Sequence, residues 1–366
     1  MSAPNMNTSA IRRLVITTGG TGGHIFPALA VAAEVRRRDP EAQVLFLGGS
    51  GPEGELARKA GLSFEALPAS GVLGMGVKAL LATVWVSKGV ILATRALRRF
   101  EPQAVIGFGG YAGFCPVLAA ALLGLPTAVH EQNSVPGITN RILGKLVRRV
   151  FVSFDNTDGQ FPAAKVVRTG NPVRAEINAV DRAPGQGRNL LVLGGSQGAK
   201  PLSDLVVAAL PQLQAARVNI LHQAGKIDVE RIREAYRAAG ADEGQVHGFV
   251  EDMAGAYAWA DLALCRAGAS TIFELAATGT PSVLVPFPFA AHDHQRVNAK
   301  ALEALGAAIL ADQKDLTGAI LAELVLGLLG DAARLGAMSR AARAFARPDA
   351  AALIVDGLEG LCRQAA

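Results

Sequence analysis

The feature that most constrains this chain is a repeated alternation of short apolar runs with longer stretches of helical spacing. The apolar runs have the length of buried strands, and four of them run directly into glycine-rich loops. Such alternation is typical of βα units that build a parallel, doubly wound sheet of the α/β class. The predicted strands are residues 14–18, 44–48, 104–108, 127–130, 150–153, 190–194, 218–223, 262–265 and 282–286.

The chain carries this pattern twice. RRLVITTGGTGGH (12–24) is matched by RNLLVLGGSQGA (188–199), each a strand, a Gly-Gly turn and the start of a helix. Because 366 residues exceed one hydrophobic core, we predict two Rossmann-like domains, residues 1–172 and 173–347, with the boundary near Pro172. A last helix, 348–366, has no strand to follow and is predicted to join the first domain.

Glycine-rich loops at strand ends let the backbone approach a phosphate, and the following helix directs its N–H groups to the same place. We therefore expect loops 19–24, 107–113, 194–199 and 266–274 to line one crevice, with the two sheets facing each other across a cleft. Neither leading loop has the G-x-G-x-x-G or P-loop pattern, which argues against a dinucleotide oxidoreductase or an ATP site.

Segment 265–287 is the most informative part of the chain. Gly268–Thr271 is predicted to present N–H groups and hydroxyls to a diphosphate, and Glu274 to accept both hydroxyls of a ribose. A carboxylate that caps the helix start is the structural alternative for Glu274. Further on, His294, Gln295 and Asn298 have helical spacing and suit the hydroxyls of a sugar.

No metal site is predicted. His292, Asp293 and His294 lack the further histidine or cysteine that a first coordination shell needs, and the chain has no Asp-x-Asp motif. Helix ends and Arg174 are then expected to offset the charge of a diphosphate leaving group.

Charge is unevenly placed. Residues 1–165 hold 17 Lys and Arg against 10 Asp and Glu, whereas residues 166–366 hold 19 against 21. The basic residues are not interleaved with aromatic ones and form no known recognition helix, so nucleic acid is not a predicted partner and a phosphate or an anionic membrane is favoured. Cys115, Cys265 and Cys362 lack metal or redox spacing, which favours a reducing compartment. The N-terminus does not have the pattern of a signal peptide.

The chain carries the motifs GGTGGHIFPALAVA (19–32), GFGGYAGFCP (107–116), HEQNSVPG (130–137), TGNPVR (169–174), GGSQGA (194–199), FVEDMAGAYAWADLALCRAGASTIFEL (249–275) and DHQRVNA (293–299). Together these motifs resemble the MurG family of bacterial N-acetylglucosaminyltransferases, over about residues 12–310. That resemblance implies a GT-B fold, an inverting mechanism, and no metal or other cofactor. It implies a place in peptidoglycan synthesis, and so in cell-wall biogenesis, cell shape and cell division, as a peripheral protein on the cytoplasmic face of the inner membrane.

The resemblance implies a UDP-GlcNAc donor and the acceptor lipid I, undecaprenyl-pyrophosphoryl-MurNAc-pentapeptide, whose muramyl 4-hydroxyl receives GlcNAc to give lipid II. Val250 would meet the uracil through its backbone and Glu274 the ribose. At the family position before Gln295, where glutamine is frequent, this chain has His294, which puts that sugar contact in doubt. The residues implied to bind UDP-GlcNAc are Thr21, Gly22, Gly23, Asn133, Arg174, Ser196, Val250, Ala269, Ser270, Thr271, Ile272, Phe273, Glu274 and Gln295.

An inverting transfer to a hydroxyl group needs a base that takes the proton of the acceptor hydroxyl. His24 is the first candidate, because an imidazole titrates near neutral pH and this one stands at the first loop. Its structural alternative is a contact to phosphate or to the turn. Glu131 is the second candidate, and Tyr111 is expected to contact the acceptor.

The lipid-linked acceptor gives the basic half of the chain a specific interpretation. Segment 72–99 combines apolar residues with Lys78, Trp85 and Lys88, as expected for a surface that meets anionic lipid. A buried helix with exposed ends is the alternative. Protein partners in the cell-wall machinery are left open.

Other functions are also compatible with parts of this sequence pattern. An antibiotic glycosyltransferase or a UDP-GlcNAc 2-epimerase would share the two-domain pattern, although the HEQN and DHQxxNA segments argue against both. A non-catalytic sensor of UDP-sugars is the alternative outside enzymes.

Overall fold

The computed structural model describes residues 10–68, 79–157, 159–182, 187–195 and 198–365, with backbone alone for 79–84 and 156. The chain divides into two compact units, Met1–Arg174 with Arg347–Ala366, and Ala175–Ala346. It passes from one unit to the other twice, close to the predicted boundary at Pro172 and close to Pro348.

The first unit is built on a parallel sheet with the strand order β3-β2-β1-β4-β5-β6-β7. β1 lies at the centre, where Val15 is in register with Leu45 and Val105 on its two neighbours. The chain order reverses between β1 and β4, the place where doubly wound sheets bind ligands. The strands are β1 (Arg13–Thr17), β2 (Gln43–Gly48), β3 (Ser63–Ala66), β4 (Ala104–Gly107), β5 (Thr127–Glu131), β6 (Arg149–Val152) and β7 (Val166–Arg168).

Helices cover both faces of this sheet, because successive side chains of a strand point to opposite sides. Leu14 and Ile16 of β1 pack into one core cluster with α1 and α14, whereas Val15 packs into another with α3, α4 and α5. The helices are α1 (Gly22–Arg38), α2 (Glu53–Lys59), α3 (Ala79–Phe100), α4 (Gly110–Leu122), α5 (Ile138–Leu146) and, at the end of the chain, α14 (Ala350–Ala365).

The last helix, α14, belongs to the first unit and packs against α1. Ile354 and Leu358 on its inner face are fully buried. At its edge Arg38 of α1 bonds Asp356 at 2.6 Å and the carbonyl of Ala352 at 3.0 Å. The chain therefore returns to its first unit to complete that unit's core.

The second unit repeats the plan with a parallel sheet in the order β10-β9-β8-β11-β12-β13. Its strands are β8 (Asn189–Leu193), β9 (Asn219–Gln223), β10 (Val246–His247), β11 (Leu262–Cys265), β12 (Ser282–Leu284) and β13 (Ala308–Leu310). Its helices are α6 (Ala175–Asn178), α7 (Lys200–Ala215), α8 (Val229–Ala238), α9 (Met253–Trp259), α10 (Ala269–Thr278), α11 (His294–Glu303), α12 (Gly318–Leu329) and α13 (Ala332–Phe345).

Each of the nine predicted strands is present, and four further strands, β3, β7, β10 and β13, were not predicted. These four are the outermost strands of the two sheets and are only two to four residues long. In the described part of the chain, no helix is both long enough and apolar enough to cross a membrane.

Candidate active site

In the first unit the loops after β1 and β4 touch. Gly110 has a φ of +74°, and a β-carbon placed on it would lie 2.2 Å from the carbonyl oxygen of Gly19. A side chain at this position would force the loops apart, so only glycine allows the contact. Two of the predicted glycine-rich loops therefore form one surface at the carboxyl ends of neighbouring strands.

A pocket of about 370 Å³ lies over this surface. Its walls come from the loops after β1 and β4 and also from the loop after β2, Gly49–Glu53, which the sequence analysis did not include. The signal for that loop was present, since GSGPEG (49–54) directly follows the predicted strand 44–48. His24 and Tyr111 both line the pocket.

The pocket lies at the start of α1. No described side chain caps this helix at Thr21, and its first turn carries no acidic residue, so the positive end of its dipole lies beside the pocket. Gly22 and Gly23 form the first turn and are half-buried. The arrangement suits an anionic group such as a phosphate.

Arg174 lies at the end of the first unit, although the sequence analysis assigned it to the second domain. Its guanidinium group stacks on the ring of Phe26, 4.4 Å from the centroid, and Phe26 belongs to α1. The structure thus places this cation beside the first glycine-rich loop, where it adds positive charge near the helix start.

His24 is oriented by a side chain that the sequence analysis did not single out. Its Nδ1 lies 2.7 Å from Oε1 of Gln132, a residue that is 1% exposed. Burial lowers the pKa of His24, and the hydrogen bonds to Gln132 and to the backbone of Phe108 oppose that shift without cancelling it. The imidazole is therefore neutral at pH 7 and able to accept a proton.

Glu131, the second predicted base, is buried and accepts hydrogen bonds on both carboxylate oxygens. The donors are the backbone N–H of Asn133 at 3.0 Å, that of Gly137 at 3.1 Å, and the amide of Asn140 at 2.9 Å. Burial raises its pKa and these bonds oppose the rise. The carboxylate organises the loop that holds Asn133, a predicted donor-binding residue, and does not line the pocket described above.

In the second unit the loop after β11 leads into α10, which begins after Gly268 with no acidic residue in its first turn. Ser270 and Thr271 are half-buried at this end. Glu274 follows on the next turn, and its Oε2 accepts a hydrogen bond of 2.9 Å from the hydroxyl of Tyr257. That bond holds the carboxylate in one orientation, which is what recognition of a ribose diol requires.

Three predicted donor-binding residues on α10, Ala269, Ile272 and Phe273, have buried side chains. Ile272 is fully buried, and the ring of Phe273 packs 5.2 Å from that of Phe345. A ligand at the start of α10 would meet the backbone of these residues, while their side chains hold the helix on the core.

The loop after β8 repeats the close approach seen in the first unit. Gly198 has a φ of +80°, and a β-carbon on it would lie 2.4 Å from the carbonyl oxygen of Ala224. Ser196, predicted to bind the donor from this loop, lies outside the described residues. Val250 lies in the loop after β10 and is half-buried, which leaves its backbone near the surface.

Gln295 lies in the first turn of α11, and its Oε1 accepts a 2.9 Å hydrogen bond from the backbone N–H of Phe287. Its neighbour His294 bonds the carbonyl of Ala291 at 2.8 Å. Asn298 is buried and donates to the carbonyl of Ala267, which ties α11 to the loop before α10. The predicted sugar-binding segment and the predicted diphosphate loop are thus joined directly.

Among the residues predicted to meet the acceptor or the membrane, Tyr111, Trp85 and Lys88 are exposed, with Trp85 47% accessible. Lys78 lies outside the described residues, as do residues 72–77. In the described ranges no group of three His, Cys, Asp or Glu side chains could hold a metal ion.

Two parallel α/β units, each with glycine-rich loops at the carboxyl ends of its strands, together with the family models that match them, place the chain in the class of nucleotide-sugar glycosyltransferases. Family models agree over most of the chain: the glycosyltransferase family 28 N-terminal domain matches residues 14–152 and the C-terminal domain residues 189–354. The chain belongs to glycosyltransferase family 28 and has the GT-B architecture of two Rossmann-like units.

Similarity to curated relatives extends over nearly the whole chain. Proteins from Nitratidesulfovibrio vulgaris and Solidesulfovibrio magneticus, both named UDP-N-acetylglucosamine–N-acetylmuramyl-(pentapeptide) pyrophosphoryl-undecaprenol N-acetylglucosamine transferase, are 55% and 56% identical, covering 96% and 93% of this chain and 98% and 95% of their own. The crystal structure of Acinetobacter baumannii MurG is 36% identical with a TM-score of 0.77, covering 95% of this chain and 99% of its own.

Proposed function

We propose that this protein transfers N-acetylglucosamine from UDP-GlcNAc to the muramyl 4-hydroxyl of undecaprenyl-pyrophosphoryl-MurNAc-pentapeptide, which is the step from lipid I to lipid II in peptidoglycan synthesis. The observation that carries the proposal is the 55% identity, over 96% of the chain, to a transferase named for this donor and this acceptor. The pocket that brings His24 together with two glycine-rich loops supports it independently.

The reaction is a single displacement. The acceptor hydroxyl oxygen forms a bond to the anomeric carbon as the bond from that carbon to the diphosphate breaks, and UDP leaves from the opposite face. His24 takes the hydroxyl proton, since its imidazole is neutral at pH 7 and lines the pocket. Glu131 is less suited to this role, because hydrogen bonds already occupy both of its oxygens.

Most of the donor contacts are assigned to the second unit, with Thr21, Gly22, Gly23 and Asn133 of the first unit as further donor-binding residues. The start of α10 receives the diphosphate, Glu274 accepts the ribose hydroxyls, and the backbone at Val250 meets the uracil. The tie between Asn298 and the loop before α10 supports a shared site for the diphosphate and the sugar. In the first unit, Arg174 and the start of α1 supply positive charge for a phosphate-bearing substrate.

Transfer of radiolabelled GlcNAc from UDP-GlcNAc to a lipid I analogue tests the proposal. We expect product with both substrates present and none without acceptor. Conversion of UDP-GlcNAc without acceptor would point to an epimerase, and donor binding without turnover to a sensor. Either result would overturn the assignment.

Two variants test which residue is the base. His24→Ala should lower kcat by roughly 10²- to 10⁴-fold, the usual contribution of a general base, while the affinity for UDP-GlcNAc is retained. Glu131→Gln should instead lower the melting temperature, because it disturbs a buried loop. Near-normal turnover by His24→Ala would show that another group is the base.

We also propose that the first unit binds the cytoplasmic face of the inner membrane peripherally, through the outer surfaces of α3, α4 and α5. Packing of α3 on α4 and of α4 on α5 makes these helices neighbours. Residues 79–149 hold eight Lys and Arg against two Glu, one of which is the buried Glu131. Large apolar side chains are exposed on the same helices, namely Trp85, Ile91, Leu122, Ile138, Ile142 and Leu146.

Such a surface suits an anionic bilayer, because apolar side chains enter the interface while Lys and Arg meet the headgroups. On α5 the exposed residues Ile138, Ile142 and Leu146 are four apart and form one stripe, with Arg141 and Lys145 exposed beside them. This stripe extends the predicted surface around Trp85 to a second helix.

A further inference from the structure

A chain of hydrogen bonds links the pocket histidine to the interior of the first unit. His24 Nδ1 lies 2.7 Å from Gln132 Oε1, and Gln132 Nε2 lies 3.0 Å from His130 Nδ1 and 3.1 Å from the carbonyl oxygen of the same residue. His130 Nε2 in turn lies 3.0 Å from the carbonyl oxygen of Gly170. Gln132 and His130 are 1% and 0% exposed, so bulk water does not compete for the bonds between these two residues.

Two backbone carbonyls determine the direction of every bond in this chain, because a carbonyl oxygen can only accept. The Gly170 oxygen requires the proton of neutral His130 to be on Nε2, so Nδ1 of that ring is an acceptor. Burial keeps His130 neutral by lowering its pKa to about 4. Gln132 must then turn its NH₂ group toward His130, where it also meets that residue's carbonyl oxygen.

The same orientation leaves Gln132 Oε1 facing His24. An amide oxygen only accepts, so the neutral imidazole of His24 must carry its proton on Nδ1. With the proton on Nδ1, Nε2 holds the lone pair, although the backbone of Phe108 is a second acceptor beside this ring and competes with Gln132 for its proton. The carbonyl groups of Gly170 and His130 thus determine which nitrogen of His24 carries the proton. The side chain that links them to His24 is Gln132, which lies 108 residues further along the chain.

We infer that Gln132 is a positioning residue that holds His24 in the Nδ1–H form, so that Nε2 is the nitrogen that takes the proton of the acceptor hydroxyl. The inference rests on the proposed transferase function. During the displacement the hydroxyl proton passes to Nε2 as the new glycosidic bond forms and UDP leaves, and the imidazolium later loses that proton to solvent.

Gln132 differs from a carboxylate in the same place because it is neutral. Burial therefore keeps the pKa of His24 below its ordinary value, since the neutral amide adds no negative charge that would stabilise the imidazolium, and the base is free at neutral pH. The titratable groups on the surrounding elements are His130 and Glu131 of β5, Glu53 after β2, and Tyr111 at the start of α4. The carboxylate of Glu131 is bonded to backbone and amide N–H groups instead of the histidine.

The tautomer can be measured without substrate. In protein labelled with ¹⁵N-histidine, the ring nitrogen shifts of His24 should show a protonated Nδ1 and a bare Nε2, with the His24→Gln variant identifying its signals among the six histidines. In Gln132→Met, which keeps the length and removes both polar atoms, the preference for Nδ1–H should be lost. A protonated Nε2 in the wild type, or an unchanged tautomer in Gln132→Met, would overturn the inference.

Kinetics supply the second readout. Gln132→Met should lower kcat by roughly 10- to 100-fold, part of the ~10²- to 10⁴-fold effect of a general base, with KM for UDP-GlcNAc unchanged. Gln132→Glu should raise the pKa of His24, and the acidic limb of the pH–rate profile should therefore move to higher pH by about one pH unit or more. An unmoved limb in Gln132→Glu would count against the inference.

A matched control is Ser203→Ala in the second unit, which removes a 3.1 Å hydrogen bond to another buried histidine, His222. It should change stability without moving the pH profile or the His24 signals. Failure of the two proposals can be told apart: absence of transfer with the Nδ1–H form intact refutes the function, whereas transfer with the opposite tautomer refutes the role of Gln132.

Discussion

Buried histidines in both units couple protonation to folding. His130 in the first unit and His222 in the second each have a pKa lowered to about 4 by burial. His222 is held between the hydroxyls of Ser203 at 3.1 Å and Tyr236 at 3.0 Å. Both side chains are therefore neutral in the folded protein at a pH where an exposed histidine is already charged.

This difference predicts a loss of stability in mild acid. Below pH 6.5 the unfolded chain binds protons that the folded chain excludes, so the free energy of unfolding falls as the pH drops from about 6.5 toward 4, by about 2 kcal/mol per histidine at pH 5. Urea unfolding at pH 7.5 and pH 5 measures this. The His222→Gln variant should show a smaller pH dependence, and equal midpoints for the wild type at both pH values would contradict the prediction.

Glu274 offers a direct test of the donor site. Glu274→Ala should weaken binding of UDP-GlcNAc by roughly 10-fold or more, because a hydrogen bond to a charged group contributes about 1.5–3 kcal/mol. Tyr257→Phe should weaken it by a smaller factor, since the carboxylate remains but loses its 2.9 Å bond to the tyrosine hydroxyl. Isothermal titration calorimetry measures both.

The control for this pair is Glu323→Ala, which removes an exposed carboxylate from α12 in the same unit. Its affinity should equal that of the wild type. If Glu274→Ala bound UDP-GlcNAc as tightly as this control, Glu274 would be a structural residue, the alternative that its place near a helix start had left open.

A strand or helix could be predicted from the sequence when its own residues carry the pattern that identifies it. The inner strands of both sheets are apolar and buried, so their sequences stand out, as LVI in β1 and LLVL in β8 do. The edge strand β3 (SFEA) has no fully buried residue, and β10 (VH) has only two residues. An edge strand is defined by the neighbour it pairs with, so short polar segments of this kind carry little signal of their own.

Helix α14 joins the core of the first unit from the far end of the chain. Leu358→Ala should lower the free energy of unfolding by about 2–5 kcal/mol, because it removes a fully buried side chain from the core shared with α1. Leu353→Ala, on the same helix but 37% exposed, should cost much less. Urea denaturation followed by circular dichroism compares the two variants.

Equal effects of the two leucine variants would mean that α14 does not pack on the sheet of the first unit. Removal of residues 350–366 should destabilise the first unit more than Leu358→Ala does. Helix α14 also supplies Ile354, Val355 and Leu361 to the core cluster that contains Leu358.

At the scale of the whole molecule, the excess of Lys and Arg in the first half of the chain predicts which surface binds a membrane. Replacing Trp85 and Lys88 by alanine should lower the partition coefficient onto phosphatidylglycerol vesicles by about three- to ten-fold, because each basic residue near such a surface contributes about 1 kcal/mol. Raising the salt concentration should weaken binding of the wild type, as screening shortens the reach of its charges. Vesicle co-sedimentation measures both effects.

A matched control replaces Lys226 and Ile227, an exposed basic and apolar pair in the second unit. These changes should leave partitioning unaltered. Equal losses from the two pairs would mean that the membrane does not select the α3–α5 surface, and no loss from either would remove that surface from the proposal.

The amino-acid sequence by itself determined the class of fold, the repeated βα plan and the glycine-rich loops, because apolar periodicity and turn chemistry act over a few neighbouring residues. Only the tertiary structure decided which distant side chains meet. It brought Gln132 to His24 across 108 residues and placed Arg174 on Phe26 in the first unit. Such contacts depend on how whole elements pack, so no local pattern in the sequence records them.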